Sequence, residues 1–312
     1  MTTILDVPGS NPPNPFFTPI DGLATSTKIS LAVEETASDL IAAVTASSDP
    51  AHALWQLWDA FFTSITACST SHNPHLALLD AIRLQPATQP NNVSLRSNAR
   101  RQLHSYTQAD GKLHWQTLPR FSAQWRDVHD ILEAWRDWDG VRAPGAGNNF
   151  IGSKLSSSGA ELYLRFNLFS AALLKATRGE GEVHPIWVFY KCRDVLERRK
   201  GTPSKNQPRA HRLSPELVWA LDIQVAAACM RDGGEALWRT NREELGQHWG
   251  SALHKETEMW PREEGLTRER WQLWEERLRL LNTEVGHLDE ETKAVVAEAA
   301  DVVAALLAET ST

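Results

Sequence analysis

Apolar residues along this chain recur at steps of three and four, the spacing that gathers side chains onto one stripe of an α-helix. The clearest stripe is Leu54, Leu57, Trp58, Phe61, Phe62 and Ile65. Asp49 precedes it as a cap for free helix amides, and Pro50 suits the first helical position. Asn73 and Pro74 repeat that start signal before Leu76, Leu79 and Ile82, which predicts a helical hairpin. Phe121, Trp125, Val128, Leu132 and Trp135 trace a further seam, with Arg126, Asp127, Asp130, Glu133 and Asp137 on the other sides.

The second half repeats the pattern. Ser158 and Glu161 have capping-box spacing ahead of Leu162, Phe166, Phe169, Leu173 and Leu174, and Gly179 stops that helix. Pro185 opens a helix bearing Ile186, Phe189, Cys192 and Leu196. Ser214 and Pro215 start another through Leu217, Leu221, Val225 and Cys229, with Gly233 and Gly234 expected to close it. Thr267 caps a helix carrying Trp271, Trp274, Leu278 and Leu281, and the last helix begins at Asp289. Between Pro86 and Leu118 the period is lost, apart from a short helix able to carry Arg96, Arg100, Arg101 and Leu103. No alternating β-branched run of strand length occurs. The expected fold class is therefore all-α, an irregular multi-helix bundle of about nine helices with no sheet.

Residues 1–27 are rich in Pro, Gly, Asn, Ser and Thr and are expected to be a disordered N-terminal tail. Residues 28–308 are expected to form a single helical domain, interrupted by a mobile basic loop at 198–213. The stretch Gly140 to Gly152 is read as a second loop. Composition narrows the function classes. A formal net charge of −7 argues against a dedicated nucleic-acid binder, because phosphate neutralisation needs a field of opposite sign. Cys68, Cys192 and Cys229 are too few and too scattered for a disulfide framework, which points to a reducing compartment. With neither a leader pattern nor an apolar run of membrane length, the expected location is the cytoplasm, with no membrane span.

Certain Trp-centred segments carry a resemblance. Leu54-Trp55-Gln56-Leu57-Trp58, Trp115-Gln116-Thr117-Leu118-Pro119, Leu221 to Cys229, and Glu269-Arg270-Trp271-Gln272-Leu273-Trp274 with Glu291-Thr292 and an Ala-rich final helix follow in that order. The set is similar to the fungal domain of unknown function 3632, with Asn91 to Lys112 fitting least well. The resemblance implies a helical fold and a fungal origin. It carries no activity, cofactor or catalytic residue.

Thirteen tryptophans against three tyrosines is the most unusual feature of the composition. Such a set can line an aromatic pocket, for which Trp55, Trp115, Trp138 and Trp187 are the candidates. Packing is the stronger reading for Trp58, Trp125, Trp135, Trp271 and Trp274, which fall on apolar stripes. Arg198, Arg199 and Lys200 are the candidate anion-binding residues. Cys68, His72 and His75 surround a turn without a fourth ligand, so no metal is expected, and no cofactor either. Asp127, Asp130, Glu133 and Asp137 are interspersed with arginines and read as a solvated face. Dinucleotide, Walker and nucleophile-elbow patterns are absent. The expected function is a helical scaffold or binding protein with no recognisable catalytic set, its partner a protein or an apolar small molecule. The alternative is an enzyme or carrier acting on an apolar small molecule in a Trp-lined pocket between helices.

Overall fold

The computed structural model describes residues 14–25, 29–68, 71–91, 97–139, 158–199, 212–261, 265–284 and 288–309. Among the described residues there are twelve α-helices and no strand, so the chain is all-α. The helices group into two compact units, one formed by described residues up to Ala134 and one by those from Trp135 onward. A sequence stripe shows that a helix face is buried and leaves open which partner covers it.

The first unit comprises α1 (Phe17–Thr25), α2 (Ile29–Ala46), α3 (Pro50–Ala67), α4 (Asn73–Arg83), α5 (Ser97–His104), a 3-10 turn (Trp115–Thr117) and α6 (Phe121–Trp135) up to Ala134, the last residue of α6 belonging to the second unit. Its hub is α3, most of whose residues are buried. Asp49 starts α3 as expected, accepting a hydrogen bond from the His52 amide at 3.1 Å. The tail expected over 1–27 is corrected from Asn14 onward, and residues 1–13 lie outside the described residues. Phe16, Ile20 and Leu23, spaced by four and three, are buried, and the Asn14 side chain ties the entry down by donating to the Gln56 carbonyl at 2.8 Å. Prolines around this short stripe masked its period.

The expected hairpin is also modified. His72, not Asn73, occupies the cap position of α4, without a side-chain cap bond. That helix lies chiefly along α2 and meets α3 through His75.

The second unit comprises α7 (Gly159–Thr177), α8 (Ile186–Leu196), α9 (Pro215–Arg239), α10 (Arg242–Leu253), α11 (Arg268–Glu284) and α12 (Glu290–Glu309). The long helix α9 is the hub, flanked by α7, α8 and α12, and α11 packs along α12. The Ser158–Glu161 capping box forms in both directions.

Gly233 and Gly234, expected to end α9, lie inside it. A Cβ on Gly233 would sit 2.8 Å from Val188 Cγ2 and 3.1 Å from Leu174 Cδ1. The glycine therefore lets α7 and α8 approach α9 closely, and the helix has no reason to stop there. Leu217, assigned to the buried stripe, is 52% exposed, because it lies in the first turn of α9 before packing begins. The loops at Gly140–Gly152 and, for the most part, 198–213 lie outside the described residues. No helix among the described residues is long and apolar enough to cross a membrane.

Candidate functional site

The most highly organised polar centre lies in the second unit. Glu197 follows the last residue of α8, and Arg270 and Trp274 stand one turn apart on α11. Both charged side chains are wholly buried. Arg270 grips Glu197 with two prongs, Nε to Oε1 at 2.6 Å and Nη2 to Oε2 at 2.9 Å. The Trp274 indole donates to Oε1 at 2.9 Å and the Thr257 hydroxyl donates to Oε2 at 2.8 Å. Each carboxylate oxygen thus accepts two hydrogen bonds, its full complement. Arg270 Nη1 donates to the Leu253 carbonyl at 2.6 Å, and its guanidinium lies 4.9 Å from the Phe189 ring and 5.5 Å from the Trp260 ring.

An enclosed ion pair loses several kcal/mol of hydration per ion and persists only where geometry and hydrogen bonding are complete. Both conditions are met here. The pair fastens the end of α8 and the segment after α10 onto α11. The backbone follows the same plan, since the Met259 amide donates to the Glu197 carbonyl at 3.1 Å and Arg277 Nη2 to the Arg198 carbonyl at 3.2 Å. A carboxylate saturated by four donors, with no exposed edge, has no lone pair left to accept a substrate proton.

In the first unit a second centre is built around the turn after Trp115. Leu118 (φ 41°) and Arg120 (φ 72°) both have left-handed backbones on either side of Pro119. Such conformations cost roughly 1–2 kcal/mol per L-residue. The compensation is local. The Trp58 indole donates to the Pro119 carbonyl at 2.7 Å, and Trp58 and Phe62 pack on Phe121 at ring separations of 5.1 and 5.2 Å. The Arg120 guanidinium lies over the Tyr106 ring and donates to its hydroxyl.

Other chemistry-bearing groups lie apart from these two centres. Ser64 Oγ is 3.0 Å from His75 Nε2 and donates its hydroxyl proton to Asp21 Oδ1 at 3.4 Å. Burial, reinforced by His72, pushes His75 down to about 4, so it is neutral at pH 7. Burial also raises the Cys192 thiol well above its ordinary range and pushes Cys229 up to about 12, so neither supplies thiolate at neutral pH. Among the described residues no group of three His, Cys, Asp or Glu side chains is placed to hold a metal ion.

The family described as Protein of unknown function (DUF3632) matches residues 58–278. The chain belongs to this family. No curated protein and no solved structure matches it. The DUF3632 match begins at Trp58 and ends at Leu278, both fully buried, and it encloses the two centres described above.

In this DUF3632 protein the aromatic candidates have separate settings. Trp55 is half-buried and stacks on His52 at 5.5 Å. Trp115 is fully buried and donates its indole N–H to Thr88 Oγ1 at 2.9 Å. Trp138 is 36% exposed beneath the Arg212 guanidinium at 4.8 Å. Trp187 is half-buried on α8, 5.6 Å from Tyr190.

Of the anion candidates, Arg198 Nη2 lies 3.8 Å from Asp194, and Arg199 Nε lies 3.8 Å from Glu258. Lys200 lies outside the described residues. Glu197 escaped the sequence reading because it stands in a basic run and looked like one of that run's counter-charges. The signal available was Arg270 itself, a charged residue adjoining an apolar seam and therefore in need of a buried acid.

Proposed function

We propose that this protein is a helical scaffold or binding protein, whose signature residues hold its cores together instead of performing chemistry. The observation that carries the reading is the saturation of Glu197 by Arg270, Trp274 and Thr257 in a fully buried setting. Within it Trp115 is a packing residue, and Trp138, the most exposed of the four aromatic candidates, is a contact residue. A cytoplasmic setting and a fungal origin belong to the same proposal. The free state of Cys68, Cys192 and Cys229 supports a reducing compartment.

The test is a thermal-shift screen of the full chain against apolar small molecules and nucleotides. A scaffold shows no saturable rise in Tm. A small molecule that raises Tm by more than about 5 °C in a concentration-dependent way establishes a ligand pocket and overturns the scaffold reading in favour of small-molecule binding or chemistry.

A further inference from the structure

Charge is segregated within the first unit. Residues 1–90 hold eight Asp or Glu and two Lys or Arg, whereas residues 91–120 hold five Lys or Arg and one Asp. The structure concentrates this excess. Helix α5 buries Leu103 and leaves Arg100, Arg101 and His104 exposed. Tyr106 follows directly, and Arg120 is brought to the same end by lying over the Tyr106 ring at 5.5 Å. The exposed Lys112 stands in the tight turn between Gln108 and Leu113.

Many cations elsewhere are compensated, among them Arg83 by Asp80, Arg231 by Asp232 and Glu298, Arg239 by Glu235, and Arg279 by Glu275. Among the described residues Arg100, Arg101, Lys112 and Arg120 form no ion pair, and Arg120 is held by a phenol in place of a carboxylate. Asp110, the one carboxylate in the stretch, is already engaged by the His114 ring and the Lys112 amide, each at 3.0 Å.

We propose that the α5 face of the first unit, Arg100, Arg101 and His104 with Lys112 and Arg120, is a docking surface for an acidic segment of a partner polypeptide. Charge complementarity selects an acid, and the surrounding charge selects a short one. Over a Debye length of about 8 Å a few carboxylates feel only the local cations. A long polyanion or an anionic bilayer also meets the net −7 of the chain. A second copy of this chain is a weaker fit, since Glu290, Glu298 and Asp301 on its acidic α12 already face Lys293, Arg231 and Arg279. The inference rests on the binding-protein reading and adds the partner's chemistry.

The experiment is a fluorescence-anisotropy titration of the full chain with a short labelled Glu-rich peptide. Binding is expected at low salt and weakens at least about tenfold between about 50 and about 200 mM salt. The double variant Arg100→Glu/Arg101→Glu weakens it by a similar factor with an unchanged far-ultraviolet spectrum, since both side chains are exposed. Arg239→Ala, whose arginine is paired with Glu235 in the other unit, leaves it unchanged. Three binding results overturn the proposal. They are no peptide binding at low salt, binding indifferent to the double variant, and tighter binding of oligothymidylate or phosphatidylserine vesicles than of the peptide. Self-association that the double variant abolishes also overturns it, in favour of a second copy. Failure of peptide binding removes this partner alone, whereas a small-molecule ligand in the thermal-shift screen removes the scaffold reading.

Discussion

Replacing Arg270 by methionine removes the cation from the interior of the second unit and leaves the enclosed Glu197 carboxyl without its counter-charge. Among the described residues the hydrogen bonds lost include two to Glu197 at 2.6 and 2.9 Å and two to the carbonyls of Leu253 at 2.6 Å and Gly265 at 3.4 Å. The carboxylate keeps two neutral donors, Trp274 and Thr257, which do not balance a full charge out of water. Breaking a buried pair from one side costs about 3–5 kcal/mol, a third or more of the stability of an ordinary domain. Glu197→Leu alone strands the guanidinium and costs a comparable amount. The double variant strands no charge. It leaves the Trp274 indole, the Thr257 hydroxyl and the Leu253 carbonyl without these partners, at about 1–3 kcal/mol each before relaxation. The double variant is therefore expected to cost about as much as one single variant, giving a coupling energy of about 3 kcal/mol or more. Urea unfolding at pH 7, followed by circular dichroism, reads these values. Hydrogen exchange over residues 186–199 and 268–284 assigns the transition to the second unit. Additivity of the two single variants to within about 0.5 kcal/mol would refute the reasoning, as would a cost below about 1 kcal/mol for Arg270→Met.

His75 makes the first unit sensitive to acid. Its pKa falls from 6.5 to about 4 on folding, so the unfolded chain binds more protons between those values, and stability is full above about 6.5 and lost as pH drops toward 4. The shift corresponds to about 3 kcal/mol, and His75→Gln should flatten that part of a stability–pH curve measured by urea unfolding. An unchanged slope removes His75 from the account. Gly159 opens α7 where a Cβ would lie 2.0 Å from the Trp135 carbonyl oxygen, a backbone atom that cannot swing aside. Gly159→Ala should therefore cost about 2 kcal/mol or more in thermal or urea unfolding, and a neutral result contradicts the close approach.

Local features were legible in the residue order because they depend on neighbours a few positions away. The period of apolar residues announced α3, α6, α7 and α11. Asp49, Ser158, Thr267 and Asp289 announced where helices begin, since an N-cap bond spans about three residues. Each of these caps forms, the Thr267 hydroxyl accepting from the Arg270 amide at 3.4 Å and Asp289 from the Thr292 amide at 2.7 Å.

Features that join distant residues were not legible. Glu197 and Arg270 are 73 positions apart, and nothing near either one names the other. Gly233 looked like a helix stop because a glycine weakens an isolated helix. Only the proximity of Val188 and Leu174 shows that it is there to admit them. Nothing in the order of residues brings Arg120 to the end of α5; its place over the Tyr106 ring is a tertiary contact across 14 positions. The sequence by itself determined that the chain is helical and which residues lie on the apolar faces, because those depend on short-range backbone geometry. Tertiary structure decided which faces meet, which charges are paired and which are left over, because those depend on contacts that chain order does not encode locally.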